Sequence, residues 1–85
     1  MRFITKEGFW AAPSEEVRGL IPAEKAAMKE LMKQGVVEAM YVSADSSTAW
    51  VVWDIESQEA LEKVHKTLPL HDYLNSDIVL LADRA

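Results

Sequence analysis

Thr48-Ala49-Trp50-Val51-Val52-Trp53-Asp54 is the stretch that decides how this chain folds. Aromatic and β-branched residues fill it, and these suit the pleated surface of a strand. Trp50 and Trp53 are three apart, so on a strand they point to opposite faces. Ile78-Val79-Leu80-Leu81 is apolar on both faces in the same way. An antiparallel sheet with one face in water alternates apolar with polar residues. These two segments do not alternate, so the sheet they predict needs cover on both sides.

Working outward, Ala44-Asp45-Ser46-Ser47 reads as a hairpin loop, and Val36 to Ser43 as the strand that precedes it. Phe3, Ile4 and Phe9 predict a first strand over roughly residues 2–9. Pro13 and Ser14 close the next loop. Ser14 caps a helix, with Glu15 and Glu16 in its positive first turn. The helical signal runs to Gln34, and Gly35 is a left-handed cap just beyond. Pro22 interrupts it, and a proline inside a helix costs about 3 kcal/mol. The pattern therefore predicts a short helix near Glu15–Gly19, a kink, and a main helix from Pro22 to Gln34. Ser57 caps a second helix whose apolar stripe is Leu61, Val64 and Leu68, and Pro69 stops it. A polar loop around Asn75-Ser76-Asp77 then leads into Ile78 to Leu81.

The order strand, helix, strand, strand, helix, strand predicts a ferredoxin-like α+β fold. That is one domain spanning residues 1–85, with a four-stranded antiparallel sheet and two helices on one face. The helices cover only one side of a sheet that is apolar on both. A contiguous exposed apolar patch is rare on a soluble monomer. The expected cover is the sheet of an identical chain, giving a homodimer or larger homo-oligomer. A standard interface hides roughly 800 Å² per partner, about one face of so small a sheet.

Composition narrows the function. The 85 residues carry a net charge of -5, and no cysteine is present. An acidic chain lacks the basic face that displaces counterions from phosphate, so nucleic acid is not an expected partner. Without cysteine there are no disulfides, thiolate zinc sites or iron–sulfur clusters. The apolar runs fall short of the roughly 20 residues a membrane span needs. Met1 to Trp10 mixes Arg2, Lys6 and Glu7 among apolar residues, unlike a secretory leader, so the cytoplasm is the expected location. The three glycines form no phosphate loop, and the serines have no neighbouring histidine–acid pair.

Glu24 is the residue that most suggests chemistry. On a helix, Val17, Leu20, Ile21, Met28, Leu31 and Met32 form one apolar stripe, and Glu24 falls in its middle. Either it points under the sheet, where desolvation raises a carboxyl pKa toward proton transfer at neutral pH, or it serves the helix dipole after Pro22. His65 and His71 are six apart and cannot share a helix face as a metal pair, so no metal site is expected. His65 borders the apolar stripe of the second helix and reads as a partly buried structural histidine. His71 lies in the loop before the last strand and is a candidate second acid or base. Tyr73 is a candidate donor to a ligand oxygen. Tyr41 and Trp53 are candidate pocket aromatics, and Lys6, the one cation within an apolar strand, is a candidate partner for a carboxylate.

Asp54-Ile55-Glu56-Ser57-Gln58-Glu59-Ala60-Leu61, followed by Leu68-Pro69-Leu70 and Tyr73, resembles the second half of the muconolactone Δ-isomerases, with their D-x-x-S-x-E-A-L and L-P-L-x-x-Y. Phe3, Lys6, Glu24-Lys25, Leu31 and Gly35 extend the similarity to the first half. The resemblance implies a dimeric α+β barrel, in larger rings for the isomerases, and an enzyme that uses no metal or organic cofactor. It implies a double-bond shift in a butenolide lactone, with Glu24 as proton shuttle and Lys6 on the substrate carboxylate. The chain departs from the family at Glu38 to Ser43, where basic and aromatic residues are usual. His71 and Asp72 stand where an aromatic and a proline are usual, and the loop before the last strand reads as lengthened. The expected function is thus a cofactor-independent isomerase acting on a lactone or related small apolar ligand. Alternatives are a cyclase, dehalogenase or monooxygenase on the same scaffold, a non-catalytic ligand-binding protein, or an accessory protein acting through its oligomeric surface.

Overall fold

The computed structural model describes residues 1–9 and 14–82. Its elements are β1 (Arg2–Phe9), α1 (Glu15–Lys33), β2 (Val37–Val42), β3 (Thr48–Asp54), α2 (Gln58–Lys66), a 3₁₀ turn (His71–Tyr73) and β4 (Leu74–Leu80). The strands form one four-stranded sheet in the order β2-β3-β1-β4, and each neighbouring pair is antiparallel. This is the ferredoxin-like arrangement that the element order predicts. Pro13 lies outside the described residues.

Local chemistry accounts for the boundaries. The Ser14 side chain accepts the Val17 N–H and opens α1, and the Ser57 side chain accepts the Ala60 N–H and opens α2. At the other end of α1, Gly35 N–H bonds the Met32 carbonyl and Val36 N–H bonds the Leu31 carbonyl. That pair of bonds is a Schellman closure, and Gly35 takes the left-handed φ of 80° it requires.

Two expectations are corrected. α1 runs as one helix through Pro22, in place of a separate short helix and a main one. Pro22 sits on the exposed side of α1, where the carbonyl it deprives of a partner can be hydrated, so packing of the opposite face carries the helix through. β4 begins at Leu74, and Asn75-Ser76-Asp77 is strand, not loop. Its register pairs Glu7 with Ser76 and Gly8 with Asn75. β4 is an edge strand, where polar side chains are ordinary and discourage unwanted pairing.

The core lies between the sheet and the helices. Phe3, Val37, Val51 and Trp53 from the sheet meet Met28 of α1, Leu61 of α2 and Leu68 beyond it. Strand parity puts Ile4, Trp50, Val52, Tyr41 and Val79 on the opposite face. In the single chain Tyr41 and Val79 are 63% and 56% exposed.

Candidate active site

Glu24 projects from the half of α1 that faces the sheet, between Val17 and Met28. Its Oε1 accepts the Leu70 N–H at 3.1 Å. Leu70 is available because Pro69 ends the second helical region and turns the chain beneath α1. Glu24, Met28, Met40, Val51, Leu70 and Leu74 border a cavity of about 130 Å³. Burial raises the Glu24 carboxyl above its ordinary 4.5; the Leu70 N–H opposes this, Glu7 adds to it, and His65 opposes it. A half-buried acid facing apolar side chains is thereby shifted toward holding a proton.

Glu7 borders the same cavity and belongs to a buried polar chain. β1 turns Phe3, Thr5 and Glu7 inward, and Thr5 and Glu7 are only 0% and 7% exposed. Trp53 Nε1–H donates to Thr5 Oγ1 at 3.0 Å, and the Thr5 hydroxyl donates to Glu7 Oε2 at 3.0 Å. Glu7 Oε1 accepts the Ser76 hydroxyl at 3.3 Å and is also hydrogen-bonded to Nε2 of His65, itself 5% exposed. His65 Nδ1 lies 2.6 Å from His71 Nδ1, with the rings edge to face. A carboxyl this deeply buried is stable only when so satisfied. His65, His71, Lys66, Asp72 and Ser76 border a second, wider cavity of about 490 Å³.

The predicted site residues therefore separate. Glu24 and His71 line different cavities, joined through Glu7 and His65. Tyr73 donates its hydroxyl to Glu16 Oε1 at 3.0 Å, tying the 3₁₀ turn to the start of α1. Trp53 is fully buried, packed in the core, and lines neither cavity. Lys6 and Tyr41 lie on the far face of the sheet, because they have the opposite strand parity to Glu7 and Met40. Within one chain neither reaches Glu24's cavity. The reading of the sequence missed Glu7 and gave His65 no chemical part. The available signal was an acid two residues from Thr5 and four from Phe3, on the inward parity of β1. Among the described residues no group of three or more histidine, cysteine, aspartate or glutamate side chains could hold a metal ion.

The sequence model of the family described as Muconolactone delta-isomerase matches residues 9–84. The chain belongs to the muconolactone delta-isomerase family. Its fold matches a crystal structure of muconolactone isomerase with a TM-score of 0.85 at 23% identity, covering 99% of this chain and 91% of that one. It also matches the 5-chloro-2-hydroxyhydroquinone dehydrochlorinase of Burkholderia phenoliruptrix AC1100, solved with 2,5-dihydroxybenzoquinone, with a TM-score of 0.69 at 9% identity and covering 96% of this chain and 94% of that one. Comparison with curated protein sequences finds no match. For this member of the muconolactone delta-isomerase family, those likenesses establish a shared scaffold.

Proposed function

We propose that the chain is a cofactor-independent isomerase that shifts a proton and a double bond in a lactone or related intermediate of aromatic degradation, with Glu24 as the acid/base. One observation carries this reading: Glu24 is fixed by Leu70 N–H at the wall of a small apolar cavity. In the first step a ring C–H bond breaks, its proton passes to a Glu24 oxygen, and the electron pair delocalises toward the lactone carbonyl. In the second step Glu24 returns the proton to a different carbon, and the double bond is left one position along. A carboxyl whose proton affinity is raised by burial suits both halves of such a transfer. The cavity is far smaller than the roughly 300–1,000 Å³ of pockets for drug-sized ligands, in keeping with one small ring. The apolar far face of the sheet supports a homodimer formed by a second copy of the chain. No described helix is long and apolar enough to cross a membrane.

The test is Glu24→Gln assayed with muconolactone. Glutamine keeps an oxygen for Leu70 N–H but cannot exchange protons as a carboxyl does. Turnover should fall by about 10²–10⁴, the usual contribution of a general acid–base group. The thermal midpoint at neutral pH should hold or rise, because the raised pKa means the ionised form is the one folding disfavours. Full activity in the variant would remove Glu24 from the mechanism.

A further inference from the structure

We propose that Glu7, His65 and His71 form a proton relay that connects the small cavity containing Glu24 with water in the wider cavity between β4 and α2. The proposal rests on the function assigned above and extends it to residues outside Glu24's own contacts. Glu7 borders the small cavity, while His65 and His71 border the wide one. The hydrogen bonds between them are continuous and mostly shielded from solvent.

The donors and acceptors follow once Glu7 is taken as a carboxylate and both imidazoles as neutral. A carboxylate only accepts, so His65 Nε2 carries the proton it shares with Glu7. Neutral His65 then presents a lone pair at Nδ1, and His71 must donate its Nδ1–H to it. That leaves His71 Nε2 as a free base. A proton arriving at His71 Nε2 displaces the Nδ1 proton onto His65 Nδ1, and the His65 Nε2 proton passes to Glu7. One proton enters and one reaches the carboxyl, both imidazoles end neutral, and each has changed tautomer. The reverse sequence carries a proton outward. Thr5 and Ser76 hold the Glu7 oxygens in line, so they are positioning residues. The charged groups bordering the two cavities beside the chain are Glu24 and Lys25 from α1, Glu62 and Lys66 from α2, and Asp72 from the 3₁₀ turn.

The relay predicts exchange. A shuttle confined to Glu24 and closed to water returns the same hydrogen it removed, whereas protonated Glu7, passing its proton to the Glu24 carboxylate across the cavity both border, lets solvent hydrogen in. Two measurements test it. Long-range ¹⁵N–¹H spectra of the full chain, labelled at histidine, should show His65 as the Nε2–H tautomer and His71 as the Nδ1–H tautomer. In Glu7→Gln, the ¹⁵N shifts of His71 should move although it does not touch residue 7, because the tautomers of the two imidazoles are coupled through the bond they share. The opposite tautomers in the native chain, or a His71 unmoved by Glu7→Gln, overturn the relay whether or not muconolactone is a substrate. The second measurement is muconolactone turnover in D₂O. Deuterium incorporated per product should fall about tenfold or more in His71→Phe, which removes the base and keeps the ring volume. Incorporation equal to that of the native chain would route exchange elsewhere. An inactive native chain would count against the function assigned to Glu24, and the spectra would still decide the relay.

Discussion

Replacing Glu7 by alanine tests the buried network most directly, because three donors converge on its two oxygens. Oε2 accepts the Thr5 hydroxyl, and Oε1 accepts the Ser76 hydroxyl and His65 Nε2–H. Removing the carboxylate orphans all three. Ser76 borders the wide cavity and can turn to water. Thr5 and His65 border that cavity too, but at 0% and 5% exposed they are far more enclosed than Ser76 and have little access to water. Leaving a buried donor unsatisfied costs about 1–3 kcal/mol, so two of them set the expected loss at about 2–6 kcal/mol. A core this small supplies about as much in total, about 3–5 kcal/mol. For a domain of this length, a loss of this size lowers the thermal midpoint by more than about 8 °C. Glu7→Gln keeps one acceptor oxygen and should lose only about half as much. Urea unfolding monitored by tryptophan fluorescence reads the difference, with an unchanged m-value showing that the unfolding transition itself is the same. A Glu7→Ala loss below about 0.5 kcal/mol would mean that the carboxylate does not satisfy these buried groups, and the reasoning would fail.

Three further outcomes follow from the same structure. Gly35→Ala should destabilise by about 1–2 kcal/mol in chemical denaturation, because a φ of 80° penalises any Cβ while no atom within 4 Å obstructs it. Asp45 accepts hydrogen bonds from the Ser43 hydroxyl and the Ser47 N–H, with its carboxyl lowered to about 2 from 3.8. Its contribution to the hairpin is therefore present above pH 3.8 and lost as pH falls toward 2, which carboxyl NMR shifts across that range will show as a midpoint well below that of a free aspartate. Val79→Lys, on the far face of the sheet, should shift the sedimenting species toward the 9.6 kDa monomer; a native chain already monomeric at micromolar concentration would refute the proposed pairing.

The fold was legible because its signals are local. Ser14, Gly35 and Ser57 mark helix ends by bonding backbone groups a few residues away. The unbroken apolar run of β3 marks a strand by parity alone. Pro22 misled because a proline's penalty is local, whereas the burial that outweighs it comes from sheet residues far along the chain. Asn75 to Asp77 misled because polarity marks both loops and edge strands, and only pairing with β1 tells them apart. Glu24 was legible as an acid within an apolar stripe. The relay was not: Glu7 and His65 are 58 positions apart. The six-residue spacing of His65 and His71 does bar them from a common helix face. They meet because the helix stops at Lys66 and the turn through Pro69 folds His71 back.

The amino-acid order alone determined which segments are helix or strand, where most of them end, and that the sheet is apolar on both sides. Those properties depend on backbone geometry and side-chain parity over a few residues. Only the tertiary structure decided which acids and bases share a buried environment. A carboxyl's neighbours and hydration are set by chain segments that sequence leaves distant, and strand register chooses between Glu7, turned inward to the histidines, and Lys6 beside it, turned away.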